Sequence, residues 1–150
     1  MKNMFLILLT VLSIYSCSEN DNNQVFPQSK EFDVIYNGAL GGDGSEGITQ
    51  SNMFINNNND WENLMSQMNN SFNTVTDNFS ETDIDFDNYL IIAVFLDVKS
   101  SGWEVKITNI TENENSLVVS TNETQFISSV ITQPFSIVKI CRTEKTIEFE

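Results

Sequence analysis

The chain has 150 residues, 21 Asp and Glu against 7 Lys and Arg, a formal charge of −14, no His and two Cys. That balance excludes nucleic acid as a partner, because its binders need a basic footprint, and it disfavours docking on anionic lipid heads. Without His there is no His-based triad, and no nucleophile motif such as GxSxG or zinc-type Cys spacing occurs, so no catalytic residue, metal or cofactor is assigned.

Residues 1–16 have the layout of an export leader. Lys2 supplies a short positive region and residues 4–15 are almost unbroken apolar. That run is shorter than the roughly 20 residues a membrane-spanning helix needs and fits the apolar part of a signal peptide. It ends in Leu12-Ser13-Ile14-Tyr15-Ser16-Cys17, which resembles the lipobox of bacterial lipoproteins, a small residue before an obligatory Cys. The resemblance implies that Cys17 carries a diacylglycerol, and two or more acyl chains anchor a protein stably. The chain is then held on a membrane through the lipid on Cys17 without crossing it. The polar and acidic stretch that follows, Ser18-Glu19-Asn20-Asp21, resembles the signal by which Bacteroidetes send lipoproteins to the cell surface. The expected place is the outer membrane, at the cell surface or its periplasmic face. Assigning Cys17 to lipid leaves Cys141 without a disulfide partner, as a small core residue in an apolar strand.

Residues 17–30 are Asn-rich and lack apolar periodicity, so they read as a flexible tether. Residues 31–150 are one domain. Residues 32–36 form a short strand that runs into a glycine-rich loop over 38–47. A second strand covers residues 51–55. A helix follows, capped by Asn59 or Asp60, with Trp61, Leu64, Met65 and Met68 at i, i+3, i+4 and i+7 and Glu62 in its first turn. Residues 69–82 show no clear pattern. The apolar run 89–96 is a central strand buried on both faces. After a turn at residues 99–102, Trp103, Val105 and Ile107 alternate with Glu104, Lys106 and Thr108 as a half-buried strand should. Residues 112–115 turn the chain into a strand over 116–121. A longer connection, 122–132, leads to Pro134, which opens a strand over 135–141. Residues 146–150 close the chain, with Ile147 and Phe149 inward. The fold class is α+β: β-rich, a mainly antiparallel sheet or partly open barrel packed with one amphipathic helix.

Two clusters of acids invite a metal reading. Asp43 and Glu46 offer the oxygen ligands that calcium takes, but a plain mobile loop accounts for them better. Asp83, Asp85 and Asp87 resemble the start of an EF-hand loop. The motif then fails, with Asn88 where Gly is needed and Val94 where the bidentate Glu should stand. Period-2 spacing explains them as the exposed face of an extended segment, with Ile84 and Phe86 opposite. Trp61 belongs to the core stripe rather than to a binding groove.

The stretch 89–150 resembles the C-terminal domain of the PrcB family, small lipoproteins associated with a surface protease complex. The residues that carry the likeness are Ser101-Gly102-Trp103-Glu104-Val105-Lys106-Ile107, then Leu117-Val118-Val119, then Thr132-Gln133-Pro134-Phe135-Ser136-Ile137. Here one Gly precedes a Trp, where the family often has two Gly and a Tyr. The likeness implies a non-catalytic role: stabilising, presenting or restraining a protease or another exported protein. Read physically, Gly102 eases a turn, Thr132 and Pro134 start a strand, and Trp103 and Phe135 fill the core. A surface module that captures a glycan, peptide or cation is the alternative.

Overall fold

Two four-stranded sheets stack on each other, and one helix covers the outer side of one of them. The computed structural model describes residues 25–69 and 74–150; the leader over 1–16, Cys17 and the tether as far as residue 24 lie outside the described residues. The elements are β1 (Gln28–Ser29), β2 (Asp33–Gly41), β3 (Ser51–Ile55), α1 (Asn58–Met68), a 3-10 turn (Val75–Asn78), β4 (Tyr89–Phe95), β5 (Gly102–Glu112), β6 (Ser116–Phe126), β7 (Thr132–Cys141) and β8 (Thr146–Phe149). The inner sheet has the order β2-β7-β4-β3 and the outer sheet β1-β5-β6-β8. Pairing is antiparallel except between β6 and β8, and neither sheet closes into a barrel.

Burial on both faces of the inner sheet follows from its sequence. In β4, Ile91, Ala93 and Phe95 face α1, where they meet Trp61, Leu64 and Met68. The alternate residues Leu90, Ile92 and Val94 face the outer sheet and pack on Val105, Ile107, Leu117 and Val119. Each such fully buried aliphatic or aromatic side chain contributes about 1.5–3 kcal/mol. The outer sheet is covered on one side only, which is why β5 alternates and β4 does not.

α1 starts two or three residues earlier than the sequence suggests. Asn57, not Asn59 or Asp60, is the N-cap, its Oδ1 accepting from the Asp60 N–H at 3.0 Å, and Asp60 rather than Glu62 is the acid of the first turn. The apolar stripe holds: Trp61 is buried, donates from Nε1 to Thr82 O at 2.8 Å and stacks on Phe79. The patternless residues 69–82 contain the 3-10 turn; residues 70–73 of that stretch, Phe72 among them, lie outside the described ones.

Several boundaries differ from expectation, each for a local reason. β2 runs on to Gly41 through the glycines read as loop because it stays paired with β7 as far as Thr132, and at Gly38 the Tyr36 and Phe135 rings take the place of a Cβ. The residues 28–30 read as tether are part of the outer sheet: Gln28 and Ser29 pair with Glu112 and Thr111, and Lys30 N–H donates to Ile110 O at 2.8 Å. β6 continues to Phe126 instead of ending at residue 121. Its polar second half carries no burial pattern, only pairing with β5.

One buried hydroxyl ties the sheets together. Ser136 on β7 accepts from Ile107 N–H of β5 at 3.0 Å and donates to Asn37 Oδ1 at 2.7 Å. The Ile107 amide is exposed to it by a register shift between Ile107 and Asn109.

Candidate functional site

Strand direction divides the sandwich into two poles. At one pole lie the start of the described chain, the β5–β6 turn and the β7–β8 connection. At the other lie the β6–β7 connection, the β4–β5 loop and the glycine loop after β2.

The first pole is charged and hydrogen-bonded. Glu112, 4 % exposed, accepts from Lys145 Nζ at 2.9 Å and from Gln28 Nε2 at 3.0 Å, with Lys30 Nζ at 3.8 Å. Burial pushes its carboxyl pKa up, but the hydrogen bonds from Lys145 and Gln28 and the two lysine charges outweigh that and hold it below its ordinary value. Lys145 also donates to Asn113 O at 2.8 Å and sits over the Phe26 ring. Lys30 and Lys145 line a cleft of about 630 Å³ whose wall also includes Asp87, Glu114 and Arg142. Its cations are already engaged: Arg142 donates to Phe86 O at 2.7 Å, and both lysines serve Glu112. The cleft therefore fastens strands and offers a ligand little uncommitted charge.

Cys141 borders the same cleft at the end of β7. It is half-buried and disulfide-bonded, which corrects the expectation of a core thiol without a partner. The only other cysteine in the sequence is Cys17, which lies outside the described residues.

The second pole gathers the motif residues. Lys99 links them: its N–H donates to Thr132 O at 2.8 Å and its carbonyl accepts from Thr132 N–H at 3.2 Å, while its ammonium lies 5.1 Å from the Trp103 ring centre. Three roles expected from sequence change. Ser101, at φ 74°, takes the left-handed turn position; Gly102 instead lets Phe126 lie against the backbone, where a Cβ would stand 2.3 Å from its ring. Trp103 is half-buried under Lys99 rather than a core residue. Pro134 is the third residue of β7, not its opening.

The Pro134 position is made possible by its neighbour. Leu96 N–H donates to Pro134 O at 2.9 Å, and the return bond to Leu96 O has no proline N–H to make it. Gln133, 2 % exposed, supplies it, donating from Nε2 to Leu96 O at 2.9 Å and to Ile48 O at 3.0 Å. Phe135 is fully buried and stacks on Phe95, as expected.

Among the described residues no group of three or more Cys, Asp or Glu side chains is placed to hold a metal ion. Asp43 is fixed in its own turn by Ser45 N–H at 3.1 Å, and hydrogen bonds from Ser45 lower its pKa. Asp85 does the same for the turn into β4, taking Asp87 N–H at 3.1 Å and Asn88 Nδ2 at 2.7 Å. The predicted alternation survives there as a turn, with Ile84 and Phe86 buried and the three acids exposed.

Sequence reasoning missed the outer surface of the second pole. Of the eight exposed large apolar side chains among the described residues, five are Val98, Phe126, Ile127, Val130 and Ile131, all in this one region. Ile131 is held by Gly42, whose missing Cβ leaves room for the Ile131 backbone. The available signal was four large apolar residues within the six of 126–131, in a stretch read as a connection.

Among the described residues no helix is long and apolar enough to cross a membrane. No family model matches the chain, and no curated protein or solved structure matches it.

Proposed function

We propose that the chain is a membrane-anchored lipoprotein with a non-catalytic role, holding another exported protein through its β-domain. The observation that carries this reading is the N-terminal sequence: Lys2, an apolar run of signal-peptide length and Ser16-Cys17, followed at once by polar and acidic residues. Two further features support it. The start of the described chain is pinned at one pole, where a tether would join the fold. Exposed apolar residues gather at the other pole, and such patches mark interaction surfaces. The PrcB likeness of residues 89–150 adds a protease or protease-associated protein as the kind of partner.

The two cysteines make the test sharp. A sulfur that carries a thioether-linked lipid is not available for a disulfide, so lipidation of Cys17 and its pairing with Cys141 exclude each other. Acylation acts on the extended precursor, before a folded β7 can present Cys141, whereas the disulfide-bonded Cys141 of the structure stands against the lipid. Mass spectrometry of the native chain should show an N-terminal acylated Cys17 without residues 1–16. An intact leader, or a Cys17–Cys141 crosslink in native material, would overturn the reading.

A further inference from the structure

At the second pole the β5–β6 hairpin outruns the strands beside it. β8 pairs with β6 only from Ser116 to Val119, and Glu150 N–H adds a last bond to Val119 O at 3.1 Å. β6 continues to Phe126, paired on one side with β5, from Asn122 opposite Lys106 to Phe126 opposite Gly102. Among the described residues no strand pairs with its other side beyond Val119. All five residues from Asn122 to Phe126 are exposed. An edge of this kind presents a row of open N–H and C=O groups, which proteins commonly block with Lys, Pro or a bulge. This one carries a single charge, Glu123, drawn to Lys99 at 3.8 Å. It leads directly into the exposed Phe126, Ile127, Val130 and Ile131.

Charge and position narrow the occupant. Residues 124–143 contain no acid, in a chain whose formal charge is −14. The chain's charge repels an acidic segment, and the exposed Phe126, Ile127, Val130 and Ile131 beside the edge would desolvate a basic one, so the segment that lies here is uncharged. β5 spans Gly102 to Glu112, a length of about 33 Å at about 3.3 Å per residue, with β1 paired at the Glu112 end. A tether entering at β1 leaves the open edge at the far end of the sandwich, beyond the membrane. Antiparallel self-pairing of two copies through this edge would set their tethers at opposite extremes, which chains anchored in one leaflet do not favour.

We propose that the open edge at residues 122–126, with Ile127, Val130 and Ile131, receives an extended, uncharged, apolar-rich segment of an exported partner protein as an added strand. Main-chain bonds supply affinity in this mode, and pockets for alternate side chains supply selectivity. The inference rests on the protein-binding reading above and names its surface.

Three peptides probe it on the full lipidated chain in detergent micelles: an eight-residue alternation of Thr with Val or Ile, a copy with Pro at alternate positions, and a copy with two Glu. Hydrogen exchange should slow at least tenfold within 122–126 for the first peptide and remain unchanged for the Pro copy; the Glu copy should bind more weakly than the first. Ile127→Asp with Val130→Asp should weaken binding of the first peptide at least tenfold, and Val34→Asp, on an exposed apolar residue elsewhere, should leave it unchanged. Absence of protection with all three peptides, equal binding by the Pro copy, or protection elsewhere overturns the surface. So does a dimer in sedimentation that Ile127→Asp dissolves, which assigns the edge to a second copy. Partition onto phosphatidylcholine vesicles that the same variant abolishes also overturns it, in favour of lipid. The two proposals fail separately. A stoichiometric exported companion that contacts only other faces sinks the surface and spares the function; no companion in native envelopes sinks the function.

Discussion

The two poles of the sandwich solve the same problem, ending eight strands, with opposite chemistry. At the β1 pole the strand ends are closed by charge: Glu112 is buried between Lys30, Lys145 and Gln28, and Arg142 reaches back to Phe86 O. At the Gly102 pole they are closed mainly by neutral contacts, the Gln133 amide standing in for a proline N–H and glycines letting Phe126 and Ile131 approach the backbone, with the looser Lys99–Glu123 pair the charged exception. The first arrangement leaves little to offer a partner. The second leaves apolar side chains in water. A fold gains nothing in stability from Ile127 in full exposure, so the contrast separates the end that holds the molecule together from the end that is open to others.

Substitution at the charged pole should cost most. Glu112→Ala strips the counter-charge from two lysines that keep only partial access to water, and we expect a loss of about 3 kcal/mol in urea unfolding, the low end for one partner of a buried pair. A loss under about 1 kcal/mol would mean the cluster is ornament. Gln133→Leu comes next, at about 2 kcal/mol, because Leu96 O and Ile48 O lose their buried donor. If it unfolds at the wild-type midpoint, the amide is not what permits Pro134 in mid-strand.

Acid should weaken the charged pole. The Glu112 pKa is lower in the fold than its ordinary 4.5, so its stabilising contribution is complete above that value and vanishes as the pH falls through the folded one. A stability profile below pH 4.5 should therefore flatten in Glu112→Gln relative to wild type. Lys139 runs the other way. Burial lowers its pKa, but the Glu81 hydrogen bond with the Glu81 and Asp33 charges raises it further, so its contribution is full below 10.5 and fades as pH climbs past its folded value. The smallest effect belongs to Ile127→Asp, within about 0.5 kcal/mol in unfolding because its side chain touches solvent alone. A larger loss would show that the apolar pole is structural and erase the contrast.

The inner sheet was legible because burial on both faces writes a continuous apolar run, and the outer sheet because burial on one face writes alternation. What escaped reading was decided by backbone pairing. Asn122 to Phe126 are strand only because β5 lies beside them, and Gln28–Ser29 only because Glu112 draws Gln28 in. The motif residues were located correctly but given the wrong tasks at Gly102, Trp103 and Pro134, since a turn glycine and a contact glycine look alike in a sequence. The exposed apolar tip was visible as composition and went unused, because apolar residues outside a helical or strand period do not show whether they are buried.

The antiparallel lie of β1 on β5 has a mechanical meaning. A tug on the chain ahead of Val25 runs along β1, across its bonds to Glu112 and Thr111, and so loads them in shear together instead of peeling them one at a time. The Lys30–Glu112–Lys145 cluster spreads that load into the C-terminal connection. A short strand stapled by ions is thus a strain relief: under force it slips first, while both sheets behind it stay shut.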